Sequence, residues 1–405
     1  MVTSSATVKK ILKATLDEKL KRVPAGLDNA VRQAEERHFD KMFIVDADCH
    51  QEEPFNLFLK FLEEPYKSII EKENITYDRE ADPFLSQLDQ GIGKLSHKQS
   101  EDARYLSGRI KRSEIKESPM SPEVLVQVFA QRMHDIGIKR SVVLPTFMLA
   151  LGFDPRPDFE VAMSNAYIDY MREYFLGKYP EIYTMIYAPA NSPRKAAELI
   201  DRVGSTKGIA GIMVTSGRNS TVDETWDPIF ESAEKMNLPV GFHGVPYLGG
   251  PFAGFDKMIS IHALSFPFYL FVQLTGLVMN GVPERFPKIK FCFMEGGLSW
   301  IPWIMHRLDS EYLMRRTEAP LLKERPSEYI NEFYYTTQPL EHPAKVEDQE
   351  KIFSMFDAEN HVLYASDYPH WDFDVPSVVY DLPFLSKTAK KKILGENARK
   401  FFRME

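Results

Sequence analysis

Apolar residues in this chain follow two rhythms. Short, nearly unbroken apolar runs recur at 42–50 (MFIVDADCH), 139–145 (KRSVVLP), 181–189 (EIYTMIYAP) and 208–216 (GIAGIMVTS). They continue at 239–245 (PVGFHGV), 288–296 (KIKFCFMEG), 331–339 (NEFYYTTQP) and 361–370 (HVLYASDYPH). Most are rich in β-branched or aromatic residues, which predicts strands buried on both faces. Between most of them the spacing turns helical. NSPRKAAELIDRV puts Ser192 at an N-cap and Pro193 at the first helical position. DETWDPIFESAEKMN and VEDQEKIFSMFD start acidic and continue with helical spacing. Eight strands alternating with helices predict an α/β fold, a (β/α)8 TIM barrel. An open doubly wound sheet is the alternative. It would want a Gly-rich phosphate turn after the first strand, and none is there.

Two regions fall outside this rhythm. Residues from about 7 to 40 read as polar, amphipathic helix with a break at VPAG, giving an N-terminal helical extension (1–41) packed outside the barrel domain (42–405). Between the first and second strands lies a long insertion, about 51–135, that includes QLDQGIGKLSHKQSEDARYLSGRIKRSEIKESPMSPE. It is polar and highly charged until VLVQVFAQRMHDIG restores apolar periodicity. An insertion after the first strand lies on the catalytic face of a barrel, where it serves as a lid, a partner contact or a plain surface excursion.

Composition narrows the picture. Of the 405 residues 44% are hydrophobic and 27% charged, enough for a well-filled core. A net charge of −8 argues against a nucleic-acid grip, which needs a clustered basic face. Two cysteines, Cys49 and Cys292, make no disulfide framework and suit a reducing compartment. The N-terminus lacks the apolar core of a secretory signal, and no run approaches the roughly 20 apolar residues that span a bilayer. The expectation is a cytoplasmic protein that takes a small-molecule substrate, with no nucleic-acid or membrane partner, and forms a homodimer. The aromatic-rich FPFYLFVQ reads as core rather than interface.

Chemistry in a barrel gathers at the C-terminal ends of the strands. The first strand ends with Asp48 and His50, two apart and so aimed at one point. The fifth carries His243, the sixth Glu295, and the eighth Asp367 with His370 just beyond. Singly, a histidine or aspartate at a strand end is as readily a turn former or a hydrogen-bonded structural group. Jointly, two imidazoles and two carboxylates around one mouth form a ligand set suited to one divalent ion, with Zn2+ or Mn2+ the natural candidates. His262, in KMISIHALSFPFYL, opens a helix after the fifth strand on the face where substrate would lie. Trp300 lies near enough to the sixth strand's end to line a pocket, though helix packing is its simplest use. His306 reads as structural or outer surface, with neighbouring Arg307 paired to Asp309 or another acid.

These segments resemble the amidohydrolase superfamily, in the amidohydrolase-related branch that includes aminocarboxymuconate-semialdehyde decarboxylase and γ-resorcylate decarboxylase. The carriers are DADCH, GFHG, ERFPKIKFCFMEGGLSWIPWIMHRLD and YASDYPHWD, and the resemblance spans about residues 42–403. It implies that Asp48, His50 and His243 bind the metal and that Asp367 completes the shell and handles the proton of an ion-activated water. Two-metal relatives often use a carboxylated lysine from the fourth strand. GIAGIMVTS has no lysine, so one ion is expected, Zn2+ first and Mn2+ or Fe2+ as alternatives. The superfamily's common His-x-His is Asp-x-His here, a somewhat harder ligand set. The named decarboxylases place an acid–base histidine on the sixth strand, where this chain has Glu295.

The leading expectation is therefore a metal-dependent hydrolase of a small amide, ester, thioester or lactone. Asp367 would shuttle the proton, with Glu295 and His370 orienting substrate or assisting, and His262 and Trp300 at the substrate. A metal-dependent nonoxidative decarboxylase of a phenolic or unsaturated acid is the second. A barrel without catalysis, serving as a subunit of a larger assembly, is the third.

Overall fold

A computed structural model describes residues 25–51, 59–72, 121–146, 148–217, 221–245, 250–255, 257–370 and 372–404. Most of the N-terminal extension (1–24) and of the insertion (52–58 and 73–120) lies outside the described residues. The described parts of these regions include the helices Ala25–Glu36, Tyr66–Lys72 and Pro122–Asp135.

The eight apolar runs become eight parallel strands in the order β1 to β8. They are β1 (Ile44–Gln51), β2 (Ile138–Pro145), β3 (Ile182–Tyr187), β4 (Ile209–Thr215), β5 (Val240–His243), β6 (Phe291–Met294), β7 (Tyr334–Thr336) and β8 (Val362–Leu363). Backbone bonds from β1 to the segment after β8 draw the ring together: Ala47 N–H donates to Tyr364 O at 2.9 Å, Asp367 N–H to Asp48 O at 2.8 Å, and His50 N–H to Tyr368 O. The fold is a (β/α)8 TIM barrel, as the alternation predicts, with the helices outside.

The first seven strands fall within three residues of the runs that predict them. The eighth is much shorter and keeps only two residues of ladder. There the backbone leaves its neighbour and turns to side chains: Ala365 N–H donates to Thr337 Oγ1 at 3.0 Å and Ser366 N–H to Asp46 Oδ1 at 2.8 Å. Pro193 does open the helix Pro193–Val203, while Ser192 caps it by position without a side-chain bond.

The barrel interior is packed below its mouth. Gly241 on β5 points inward, and a Cβ there would lie 2.7 Å from Met294 Sδ and 3.1 Å from Met185 Cε. Its missing side chain makes room for two methionines from β3 and β6. Outward-facing Phe242 and Phe293 stack at 5.2 Å beneath the helical layer. One run proves longer than the sequence reading allows: within the helix Met258–Met279, residues 259–279 are long and apolar enough to cross a membrane by length and composition. Just over half of its most apolar window (56%) is buried in the fold, where Leu270, Leu274 and Leu277 join the core.

Candidate metal centre

β1 is buried along its whole length and brings Asp48 and His50 to the barrel mouth, while its register with β2 slips between Asp46 and Cys49 and the Asp46 carboxylate turns to Ser366. His243 ends β5, and Glu295 and Asp367 follow the ends of β6 and β8. The barrel brings them together. His50 Nε2 lies 3.1 Å from Asp48 Oδ1 and 3.3 Å from Asp367 Oδ1. His243 Nε2 lies 3.3 Å from Asp48 Oδ2, and the two imidazoles meet edge to face at 5.2 Å. Asp48, His50, His243 and Asp367 are each no more than 1% exposed.

These atoms are close without satisfying one another. Among the described residues, Asp48 Oδ1, both His50 ring nitrogens, His243 Nε2 and Asp367 Oδ2 are buried without a hydrogen-bond partner. Burying that many polar atoms unpaired is costly, and native proteins rarely do it. Ligands that share one cation at about 2.1 Å sit about 3 Å from one another, the spacing seen here. The donor set therefore fits a divalent ion. Two overlapping triads could hold one, Asp48–His50–His243 and His50–Asp367–His370.

The electrostatics have the same origin. Burial lifts the Asp48 carboxyl, but His243 and His50 beside it outweigh that and hold it below its ordinary range. Burial pushes His50 down, against the pull of Asp48. Asp367 is pushed well up by burial, with Glu295, Asp372, Asp48 and Asp46 adding repulsion. Glu295 is likewise pushed well up by burial and by Asp48 and Asp372. A positive charge at the centre would relieve this crowding of acids.

Backbone strain marks the same places. Glu295 (φ 57°) and Asp367 (φ 58°) are both left-handed, which costs a residue with a Cβ on the order of 1 kcal/mol or more and persists where surrounding structure enforces it. Glu295 N–H donates to Thr336 Oγ1 at 2.9 Å, and its Oε2 stands 3.4 Å from His243 Nδ1. His243 Nδ1 also lies 2.7 Å from Gly244 O, which makes Nδ1 the protonated nitrogen and leaves Nε2 to face the centre.

His370 stacks on His50 at 4.2 Å, with Nδ1 2.6 Å from Asp367 Oδ1 and Nε2 3.1 Å from Thr146 Oγ1. His262 reaches the mouth from its helix and pairs with Asp372, Nε2 to Oδ2, at 3.4 Å. Trp300 lies behind β6. Its indole N–H donates to Gly297 O at 2.9 Å and its ring packs against Phe271, Phe293 and Tyr335. His306 is exposed, and Arg307 pairs with Glu311 at 2.6 Å rather than with Asp309.

Sequence reasoning assigns no role to Asp46, Thr146 or Asp372. Asp46 carries a legible signal, since it is in phase with Asp48 and His50. Asp372 lies in a loop where no periodicity points inward.

The fold and the donor set define a barrel enzyme built around a divalent cation. Comparison with protein families matches residues 131–404 to the amidohydrolase family. The chain belongs to that family. It is 23% identical over 302 residues to 2-amino-3-carboxymuconate-6-semialdehyde decarboxylase of Dictyostelium discoideum, covering 72% of this chain and 79% of that one. It is 22% identical over 242 residues to γ-resorcylate decarboxylase of Rhizobium radiobacter, covering 54% and 68%. Among solved structures it resembles an amidohydrolase from Mycobacterium avium subsp. paratuberculosis, with a TM-score of 0.68 at 18% identity over 89% of this chain and 99% of that one. It also resembles 5-carboxyvanillate decarboxylase from Novosphingobium aromaticivorans, solved with bound manganese, with a TM-score of 0.60 at 17% identity over 90% and 98%. The chain is a metal-dependent enzyme of the amidohydrolase superfamily, and the family supports a single divalent ion.

Proposed function

We propose that this enzyme is a nonoxidative decarboxylase of a small phenolic or unsaturated carboxylic acid. The observation that carries this reading is that two curated relatives of the chain are decarboxylases. The hydrolase expectation keeps support only at the level of the superfamily name. Manganese in the 5-carboxyvanillate decarboxylase structure, together with two carboxylates in the ligand set, favours Mn2+ over the Zn2+ expected from sequence.

Asp48, His50, His243 and Asp367 would hold the ion. When bound, the ion supplies Lewis acidity to the departing carboxylate and a neighbouring oxygen of the substrate. Decarboxylation breaks a C–C bond, and its electron pair stays on the substrate carbon. That carbon then takes a proton, so each turnover consumes one proton and releases one CO2. Glu295 is buried, faces His243 at 3.4 Å and is placed to deliver the proton. His370, held between Thr146 and Asp367, keeps that carboxylate oriented. His262, with Asp372 behind it, stands at the mouth to meet a polar edge of the substrate.

A hydrolase is the second reading. Glu295 favours it, because the resemblance implies an acid–base histidine on the sixth strand of a decarboxylase, where this chain has a glutamate. The test is to incubate Mn2+-loaded protein with γ-resorcylate, 5-carboxyvanillate and a panel of esters, lactones and amides. Release of CO2 in step with substrate loss, abolished by chelation and restored by Mn2+, supports decarboxylation. Hydrolysis of a panel carbonyl, with no CO2 from any acid, overturns it.

A further inference from the structure

Asp46 takes no part in the chemistry above, yet it is a fully buried carboxylate directly beneath it. Its oxygens face backbone and hydroxyl donors, not the ligand side chains. Oδ1 accepts from Ser366 N–H at 2.8 Å and from Asp48 N–H at 3.3 Å, and Oδ2 accepts from Ser366 Oγ–H. Ser366 Oγ in turn accepts from Tyr368 N–H at 3.0 Å. Asp367 N–H donates to Asp48 O at 2.8 Å. The amides of residues 366, 367 and 368 are thus each tied, two of them through the Asp46–Ser366 pair.

We infer that Asp46, acting through Ser366, is a positioning residue for the ion. This rests on the metal-centre reading and is independent of which reaction the centre performs. The segment it ties lies beyond β8, which ends at Leu363, and its backbone is held by separate bonds to β1 rather than by a regular ladder. Asp367 must nevertheless hold φ at 58°, a conformation that an untied turn would leave. The same carboxylate accepts the Asp48 amide, so one side chain sets the relative position of two ligands carried by different strands. Removing such a support leaves every ligand side chain present but loosens their common focus. Loss of a residue that orients metal ligands costs about 10–100-fold in metal affinity.

The test uses the full chain, stripped of metal and titrated with Mn2+ alone, by calorimetry or by the electron-paramagnetic signal of free Mn2+. Ser366→Ala removes the hydroxyl link and keeps the backbone. Asp46→Asn keeps one acceptor and loses the other. Leu199→Ala, buried in the outer helix Pro193–Val203, serves as a destabilised control away from the ligands. Expected are Mn2+ dissociation constants raised 10–100-fold in Asp46→Asn and about 10-fold in Ser366→Ala, and unchanged in Leu199→Ala at a comparable loss of melting temperature. Ser366→Thr, which retains the hydroxyl, should restore most of the affinity. Wild-type affinity in a folded Ser366→Ala protein, or an equal loss in Leu199→Ala, overturns the positioning role. A wild-type protein that binds no Mn2+, Zn2+ or Fe2+ overturns the metal centre and this inference with it. Absence of decarboxylation with intact Mn2+ binding bears only on the proposed reaction.

Discussion

Glu160 offers a quantitative test of how the catalytic end of the barrel is held. It lies in the first turn of the helix Pro157–Tyr174 and is 1% exposed. Tyr187 O–H donates to its Oε1 at 3.3 Å and Asn191 Nδ2–H to its Oε2 at 3.0 Å. Burial outweighs these bonds and pushes its carboxyl from the ordinary 4.5 up to about 7. Between those values the native state keeps a proton that the unfolded chain has released, so the sign is fixed: stability falls as pH rises through the window. Below about pH 4.5 both states are protonated and Glu160 contributes nothing. The cost is about 1 kcal/mol at pH 5 and about 3 kcal/mol at pH 8. Glu160→Gln preserves the volume, accepts from Asn191 and offers an N–H to the Tyr187 oxygen, so it mimics the protonated acid at every pH. Urea unfolding at pH 5 and pH 8, followed by circular dichroism and by fluorescence of buried Trp226, reads the difference. The Gln variant should gain on the wild type by about 2 kcal/mol between the two pH values. Other titrating groups, Asp46 among them, are common to both proteins and cancel. A gap that does not change with pH, or a Gln variant that loses ground at pH 8, refutes the reasoning.

Glu295→Gln should keep Mn2+ bound while lowering kcat by about 10^2–10^4, as loss of a general acid does, measured by CO2 release alongside metal content. Gly395→Ala should destabilise the fold by about 1–3 kcal/mol, because a Cβ there would lie 1.9 Å from Phe43 O where the segment Lys392–Glu396 crosses β1. Gly254→Ala, with open space around its Cβ, should leave thermal unfolding unchanged.

The parts of the centre that were legible in the sequence are those a strand's geometry reports. Asp48 and His50 are two apart in a buried run, and His243 and Asp367 each close one, so their convergence follows once the barrel closes. The eighth strand was less legible. An apolar run announces burial, but it does not say that side chains of Thr337 and Asp46 take the amides of Ala365 and Ser366 after Leu363. Asp46 was in phase with its neighbours, yet one residue type fits an ion ligand and a buried clasp equally well. Trp300 shows the converse: closeness in sequence to a strand end does not fix where a ring turns, and the bond to Gly297 O sets it into the core behind β6. The helix after β5 misled in another way. Ser260, His262 and Gln273 interrupt its apolar sequence, while its averaged composition matches a spanning helix.

If distant strand ends gather about one cation, a crystal soaked in Mn2+ will reveal the ion in place. Anomalous diffraction should show one strong peak in the barrel mouth, about 2.0–2.3 Å from side-chain atoms of Asp48, His50, His243 and Asp367. A map with no peak among those four side chains, or with manganese bound only elsewhere, would mean that the strand ends do not form a metal centre.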